Sequence, residues 1–124
     1  MEERIKSFKD LFVWQKAMDL VVLIYKITDE FSRSEIYGLT SQMRRCVVSI
    51  PSNIAEGKMR GTQKDFRHFL ITAYASGAEL ETQIEIAKRL GFVDTTKIIE
   101  AENLLIEIMK MLNVFIQKIS VSNN

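Results

Sequence analysis

Apolar side chains recur every three or four residues along most of this chain, and breakers interrupt that rhythm at three places, 31–38, 57–62 and 91–96. The pattern predicts four amphipathic helices joined by short connections. The first is expected from about Asp10 to Glu30, with Ser7 or Asp10 as candidate caps. Gln15, Lys16, Asp19 and Lys26 give it a narrow polar face. Leu11, Trp14, Ala17, Met18, Val21, Ile24 and Tyr25, with Val22 and Leu23 beside them, form an apolar arc wider than one core contact needs.

The second helix should start between Glu35 and Thr40 and end near Glu56, with Gly57 as its stop. Its seam runs Ile36, Leu39, Met43, Cys46 or Val47, Ile50, Ile54. Pro51 sits inside that seam, where it deletes a backbone donor opposite the Val47 carbonyl and should kink the helix. A break into two helices at Ile50 is the alternative. Ser49, Ser52 and Asn53 surround the proline and are placed to satisfy carbonyls freed there; the other reading of these three is the lining of a small-ligand site. The third helix opens on Thr62-Gln63-Lys64-Asp65, a capping-box pattern with Asp for Glu. Phe66, Leu70, Ala73, Gly77, Leu80, Ile84 and Ala87 make its seam, small in the middle, and Gly91 ends it. The fourth begins after Asp94 as N-cap and carries Ile98, Ala101, Leu105, Ile108, Leu112, Phe115 and Ile119, with Val121 to Asn124 expected to fray.

The expected fold is all-α: one up-down-up-down four-helix bundle spanning 1–124, with its ordered core at about 8–119. Helices one and four carry more apolar surface than such a core buries. Self-association through them follows, with Trp14, Val22, Leu104 and Met111 as interface residues. A thick core with a few tolerated surface apolar groups is the alternative.

Composition narrows the class further. With 47% hydrophobic and 27% charged residues and a net charge of +1, the chain is globular rather than disordered. Five glycines and one proline are too few for a many-turned β fold. The longest apolar run, Leu20 to Tyr25, falls far short of the roughly 20 residues that span a bilayer. The polar start, Met1-Glu2-Glu3-Arg4, is unlike a secretory signal, and the lone Cys46 reads as a buried thiol in a reducing compartment. A cytoplasmic protein without membrane contact is expected.

The charge is segregated. Residues 33–67 hold seven basic and three acidic side chains, and residues 79–107 hold seven acidic and three basic. Lys58, Arg60, Lys64 and Arg67, with His68 beside them, flank the second turn and are the candidate nucleic-acid-binding residues. A solvated loop of ordinary surface charge is the alternative. Phe66 and Phe69 fit the core better than a base-stacking role, so binding there would be weakly sequence-specific. Arg44 and Arg45 are expected to pair with Glu79 and Glu81, and with Glu85, as a structural network between helices or between subunits; direct phosphate contact by either arginine is the other reading. No catalytic residue, cofactor site or metal site is expected. One histidine and no Glu-x-x-His pair disfavour a di-iron bundle, and Walker, dinucleotide-binding and nucleophile-elbow motifs are missing. Cys46 and His68 are not expected to form a nucleophile pair.

Three stretches carry a family resemblance. They are Leu11-Phe12-Val13-Trp14-Gln15-Lys16-Ala17; Tyr37-Gly38-Leu39-Thr40-Ser41-Gln42-Met43-Arg44-Arg45 continuing through Val48-Ser49-Ile50-Pro51-Ser52-Asn53-Ile54-Ala55-Glu56-Gly57; and Ser76 with Glu79-Leu80-Glu81-Thr82-Gln83. Over roughly residues 8–119 the chain resembles the 23S rRNA intervening-sequence proteins, also called the four helix bundle proteins. The resemblance implies a small bacterial bundle assembled as a homopentamer. It also brings a link to RNA, because some members are encoded within insertions in ribosomal RNA genes. Accessory proteins of diversity-generating retroelements share that bundle and bind nucleic acid and a reverse transcriptase through a basic surface. Phe31-Ser32 departs from the Phe-Pro of many relatives, which should only loosen the first loop. The family has no established catalytic residues to carry over. The leading functional expectation is therefore a non-enzymatic accessory protein associated with RNA or DNA. A protein-interaction scaffold and a small-ligand binder are the competitors.

Overall fold

The computed structural model describes residues 7–122, with side chains described through residue 119. Ser7 opens the first element: its hydroxyl accepts from the Lys9 N–H at 3.1 Å, while its own N–H reaches the Asp10 carboxylate at 3.3 Å. This capping box closes on a 3-10 turn, Phe8–Asp10, and not on the long helix. The long helix α1, Phe12–Thr28, starts one residue later from Leu11 with no side-chain cap. Helix α2 runs Leu39–Met59, α3 Gln63–Arg89 and α4 Thr95–Ser122. A second 3-10 turn, Arg33–Glu35, lies in the first connection.

Each boundary has a local cause. The Glu35 carboxylate accepts from the Leu39 N–H at 3.2 Å and holds the start of α2. The Thr62 hydroxyl accepts from the Asp65 N–H at 3.1 Å. Gly91, at φ +74°, lets the Phe92 and Gly91 N–H groups turn back to the Ala87 and Lys88 carbonyls, a Schellman stop for α3. The Asp94 carboxylate takes both the N–H and the hydroxyl of Thr96, at 2.9 and 2.8 Å, and those bonds pull its pKa down from the usual aspartate value. Val121 and Ser122 belong to α4; of the four residues expected to fray, Asn123 and Asn124 lie outside the described residues.

One expectation holds and two change. Helix α2 runs through Pro51 as one helix, without the alternative break at Ile50, and Pro51 is buried. Ser49 donates to the Cys46 carbonyl and the Asn53 amide donates to the Ser49 carbonyl, both at 2.7 Å. Ser52 points to solvent and takes no part. Gly57 does not stop α2: it is buried, and the chain leaves the helix at Gly61, where φ is +92°. Finally, the core stripe of α1 is Val13, Ala17, Leu20, Ile24 and Thr28, which leaves Met18 and Tyr25 on the surface. Its wide apolar arc hid where that stripe was centred.

Each helix packs on its sequence neighbours, and α1 also packs on α4. Among the described residues the helix backbones do not approach one another closely across the diagonals. The four helices therefore stand at the corners of a square in chain order, up and down alternately, as expected. The seams of α3 and α4 are buried as read, apart from a half-buried Phe115, with Ile116 added. Ile36 of the α2 seam is exposed instead. Burying each Leu or Ile contributes about 1.5–3 kcal/mol. The middle of α3 is small because α4 needs the room: a Cβ on Gly77 would strike the thioether of Met109. Among the described residues no helix is long and apolar enough to cross a membrane.

Candidate nucleic-acid interface

The fold gives the bundle two unlike ends. The α2–α3 turn carries Lys58, Arg60, Lys64 and Arg67 at one end. The Phe115 ring of α4 meets Phe66 edge-on at 5.2 Å, so the same end receives the last turns of α4 with Lys118. The 3-10 turn packs on α2 and adds Lys9. Among the described residues, Glu56, Asp65 and Asp10 are the acidic ones there. The opposite end holds Asp29, Glu30, Glu35, Glu85 and Asp94, with Arg33, Lys88, Arg89 and Lys97 among them.

The four expected residues differ in how free they are. Lys64 is exposed. The Lys58 ammonium stands 5.7 Å above the Phe66 ring, half-buried. Arg60 lies over Phe69 at 5.0 Å and is held by Glu56 at 2.7 Å, a hydrogen bond that raises its pKa further. Arg67 is half-buried, and its Nε is shielded with no hydrogen-bond partner. Phe66 and Phe69 thus serve as the apolar floor on which cations rest, and not as exposed stacking platforms. His68 is exposed and meets Phe69 edge-on at 5.4 Å.

The arginine–glutamate network expected within the chain does not form. Arg44 turns to α1: its Nε donates to the Thr28 hydroxyl at 2.9 Å, its guanidinium covers the Tyr25 ring at 4.6 Å, and Asp29 lies 3.8 Å away. An arginine one turn into α2 thereby ties down the last turn of α1, where carbonyls lack helical partners. Arg45 points outward. Glu79 is engaged by the Gln83 amide at 3.4 Å, and Glu81 is exposed. The buried Gln83 Oε1 has no partner.

Of the expected interface residues, Val22 is 54% exposed, whereas Trp14, Leu104 and Met111 are half-buried against the core. Trp14 is clasped by Phe8 at 5.4 Å. Ion pairs Lys16–Glu107, at 2.9 Å, and Lys97–Glu30, at 3.1 Å, bridge the α1–α4 seam. The sequence reading put Ile36 in the α2 core seam and gave Tyr37 no role, yet they are respectively 52% and 96% exposed in the first connection. An apolar residue and a tyrosine side by side between breakers were the available signal.

Cys46 is buried and donates to the Ser76 carbonyl at 3.0 Å. Burial pushes its pKa up to about 12, Glu79 adds to this, and the Leu80 backbone opposes it. Among the described residues no cluster of potential metal ligands occurs.

No curated protein matches the chain. The solved structure of a protein of unknown function from the S23 ribosomal protein family of Bacteroides thetaiotaomicron is similar, with a TM-score of 0.78 and 24% identity, over 85% of this chain and 95% of that one. At that identity the likeness bears on the fold alone. The family model of the 23S rRNA-intervening sequence protein matches residues 9–114. Four antiparallel helices and a match over most of their length place this chain in the 23S rRNA-intervening sequence protein family.

Proposed function

We propose that this protein is a nucleic-acid-associated accessory protein that contacts phosphates, of RNA first, through the basic end of the bundle and performs no catalysis of its own. The observation that carries the reading is the convergence of three separate segments on that end. Lys9 and Lys118 come from the two extremes of the described chain to join Lys58, Arg60, Lys64 and Arg67. The family description, which names an intervening sequence of 23S rRNA, supports RNA as the first polymer to test. Flexible cations on an apolar floor suit backbone contact with little reading of base edges. Self-association would set several such ends side by side and add their fields. A scaffold that binds another protein, such as a reverse transcriptase, is the second reading, favoured by the exposed Ile36 and Tyr37.

The test is fluorescence anisotropy with labelled single- and double-stranded RNA and DNA at about 50 and 200 mM salt. Several phosphate contacts should weaken binding by orders of magnitude across that range. Replacing Lys58, Arg60, Lys64 and Arg67 together with Gln should abolish it while the helical circular dichroism is kept. Absence of binding at low salt, or binding that survives the four substitutions, would overturn the proposal in favour of the scaffold.

A further inference from the structure

A groove of about 290 Å³ lies between α3 and α4, on the flank of the bundle and not at its basic end. Its floor is apolar, made by Ile84, Leu105, Ile106 and Met109, and Tyr74 walls it on α3. Glu102 lines the end nearer the α3–α4 turn and is already held by Lys88 at 3.0 Å. Three other polar side chains on the rim are not spoken for. Glu81, Lys110 and Asn113 line the groove, and among the described residues none of them makes a hydrogen bond or ion pair. We infer that this groove binds a short apolar peptide in its zwitterionic form, with the peptide's ammonium at Glu81, its carboxylate at Lys110 and its side chains on the floor between them.

The register of the two helices sets the length of the ligand. Gly77 of α3 faces the Met109 thioether of α4. Glu81 lies one turn from Gly77 toward the α3–α4 turn, and Lys110 lies one residue beyond Met109 in the other direction. The two charges therefore stand about 7 Å apart along the bundle axis, at 1.5 Å per residue. An extended chain covers about 3.3–3.6 Å per residue, so two residues span that distance and a single amino acid covers about half of it. The volume agrees, because the groove sits at the small end of ligand pockets, which run from about 300 to 1,000 Å³.

Each group on the rim finds a partner in such a ligand. The peptide ammonium donates to the Glu81 carboxylate, and the peptide carboxylate accepts from the Lys110 ammonium. The Asn113 amide offers both a donor and an acceptor to the peptide unit. Ile106, 50% exposed, gives an aliphatic surface to cover. An aromatic side chain would rest against the Met109 thioether and the Tyr74 ring, both favourable contacts. A ligand of single charge would leave Glu81 or Lys110 unmatched. None of these residues belongs to the basic end, so peptide binding and nucleic-acid binding are read separately.

The experiment is an NMR titration of the full chain, carbon-labelled at its methionine methyls, with the dipeptide alanyl-phenylalanine. Met109 reports on the groove, while Met18 and Met59, exposed elsewhere, report on non-specific contact. The Met109 methyl should shift under the phenyl ring and saturate with a dissociation constant of about 0.1–1 mM, as expected for a ligand of this size. Acetylating the peptide's ammonium or amidating its carboxylate should each weaken binding about three- to tenfold. Glu81→Gln should weaken the free peptide equally and the acetylated one no further; Lys110→Gln should weaken the free peptide and the amidated one no further. Both side chains are exposed, so both variants should keep the parent's circular dichroism. A Met109 methyl unmoved at about 10 mM peptide, equal shifts at Met18 and Met59, capped peptides that bind as tightly as the free one, or full affinity in either variant would overturn the inference.

Discussion

Glycine in the middle of a helix is ordinarily a weak point, and alanine there gains about 1 kcal/mol. Gly57 should behave in the opposite sense. A Cβ built on it falls 2.6 Å from the Cβ of Phe69 and 3.2 Å from a ring carbon of Phe66. Carbon atoms rest at about 3.5–4.0 Å, so α2 and α3 must part by about 1 Å at that level. The atom in the way is a Cβ fixed to the α3 backbone, which no rotamer change moves. Overpacking of this kind costs about 1–3 kcal/mol, and the parted helices also lose contacts around Phe66. Set against the propensity gain, Gly57→Ala should destabilise by about 1–2 kcal/mol. With 124 residues the unfolding entropy is roughly 260 cal/mol/K, so the melting temperature should fall by about 4–8 °C. Gly77→Ala is the control. There the obstacle is the thioether end of Met109, a flexible side chain that can swing into the α3–α4 groove it already lines. That variant should stay within about 1 kcal/mol of the parent. Thermal melts by circular dichroism decide the matter. A rise of about 4 °C for Gly57→Ala, the propensity effect alone, would refute the close approach of α2 to α3.

Other consequences are as direct. Asp94→Ala should lower the melting temperature at neutral pH. The pKa of Asp94 is depressed in the folded state, so its contribution is complete above the unfolded value of 3.8 and fades as pH falls through the folded one; a gap between parent and variant that widens in acid would contradict this. Cys46, with its pKa near 12, should resist a disulfide reagent at pH 8, where only about one thiol in ten thousand is ionised, and react at once in denaturant; prompt labelling of the native protein would show that the thiol is accessible. Glu56→Gln should free the Arg60 guanidinium that it holds at 2.7 Å. Nucleic-acid affinity at about 50 mM salt should then rise by about two- to fourfold with a steeper salt slope, and an unchanged slope would mean that Arg60 takes no part.

The sequence disclosed the helices better than it disclosed their neighbours. Periodicity located the seams of α3 and α4 because small and large apolar residues alternate there with charge on the other face. It misjudged α1, where apolar residues surround most of the helix and periodicity cannot tell a buried stripe from an exposed one. Glycine was ambiguous for a similar reason. Gly57 and Gly91 both stand near a helix end, yet Gly91 serves a positive φ and Gly57 a close approach. Only the partner helix separates those uses. Arg44 shows the limit for charges. It was matched to glutamates by type, but beside Asp29 its partners are a hydroxyl, a ring and a carbonyl-rich helix end on α1, which a count of charges does not register.

The fate of Arg44 also bears on function. Opposite charges within reach are used up in holding a fold together, and a cation so occupied gives a phosphate little unless its partner lets go. Arg44 and Lys88 are spent in this way, the first on α1 and the second on Glu102 at 3.0 Å. Arg60 is half spent on Glu56, whereas Lys64 is free in the basic end and Arg45 is free on the α1–α2 rim. The net charge of +1 therefore understates what the surface presents. Acidic residues of the far end are matched largely by cations of the far end, and the turn between α2 and α3 keeps an excess that its described acidic neighbours Glu56, Asp65 and Asp10 offset only in part. A bundle whose charges were distributed only for solubility would intersperse the signs along every face. Here the separation follows the bundle axis, and that axis is the direction in which a polyanion would be gathered or refused.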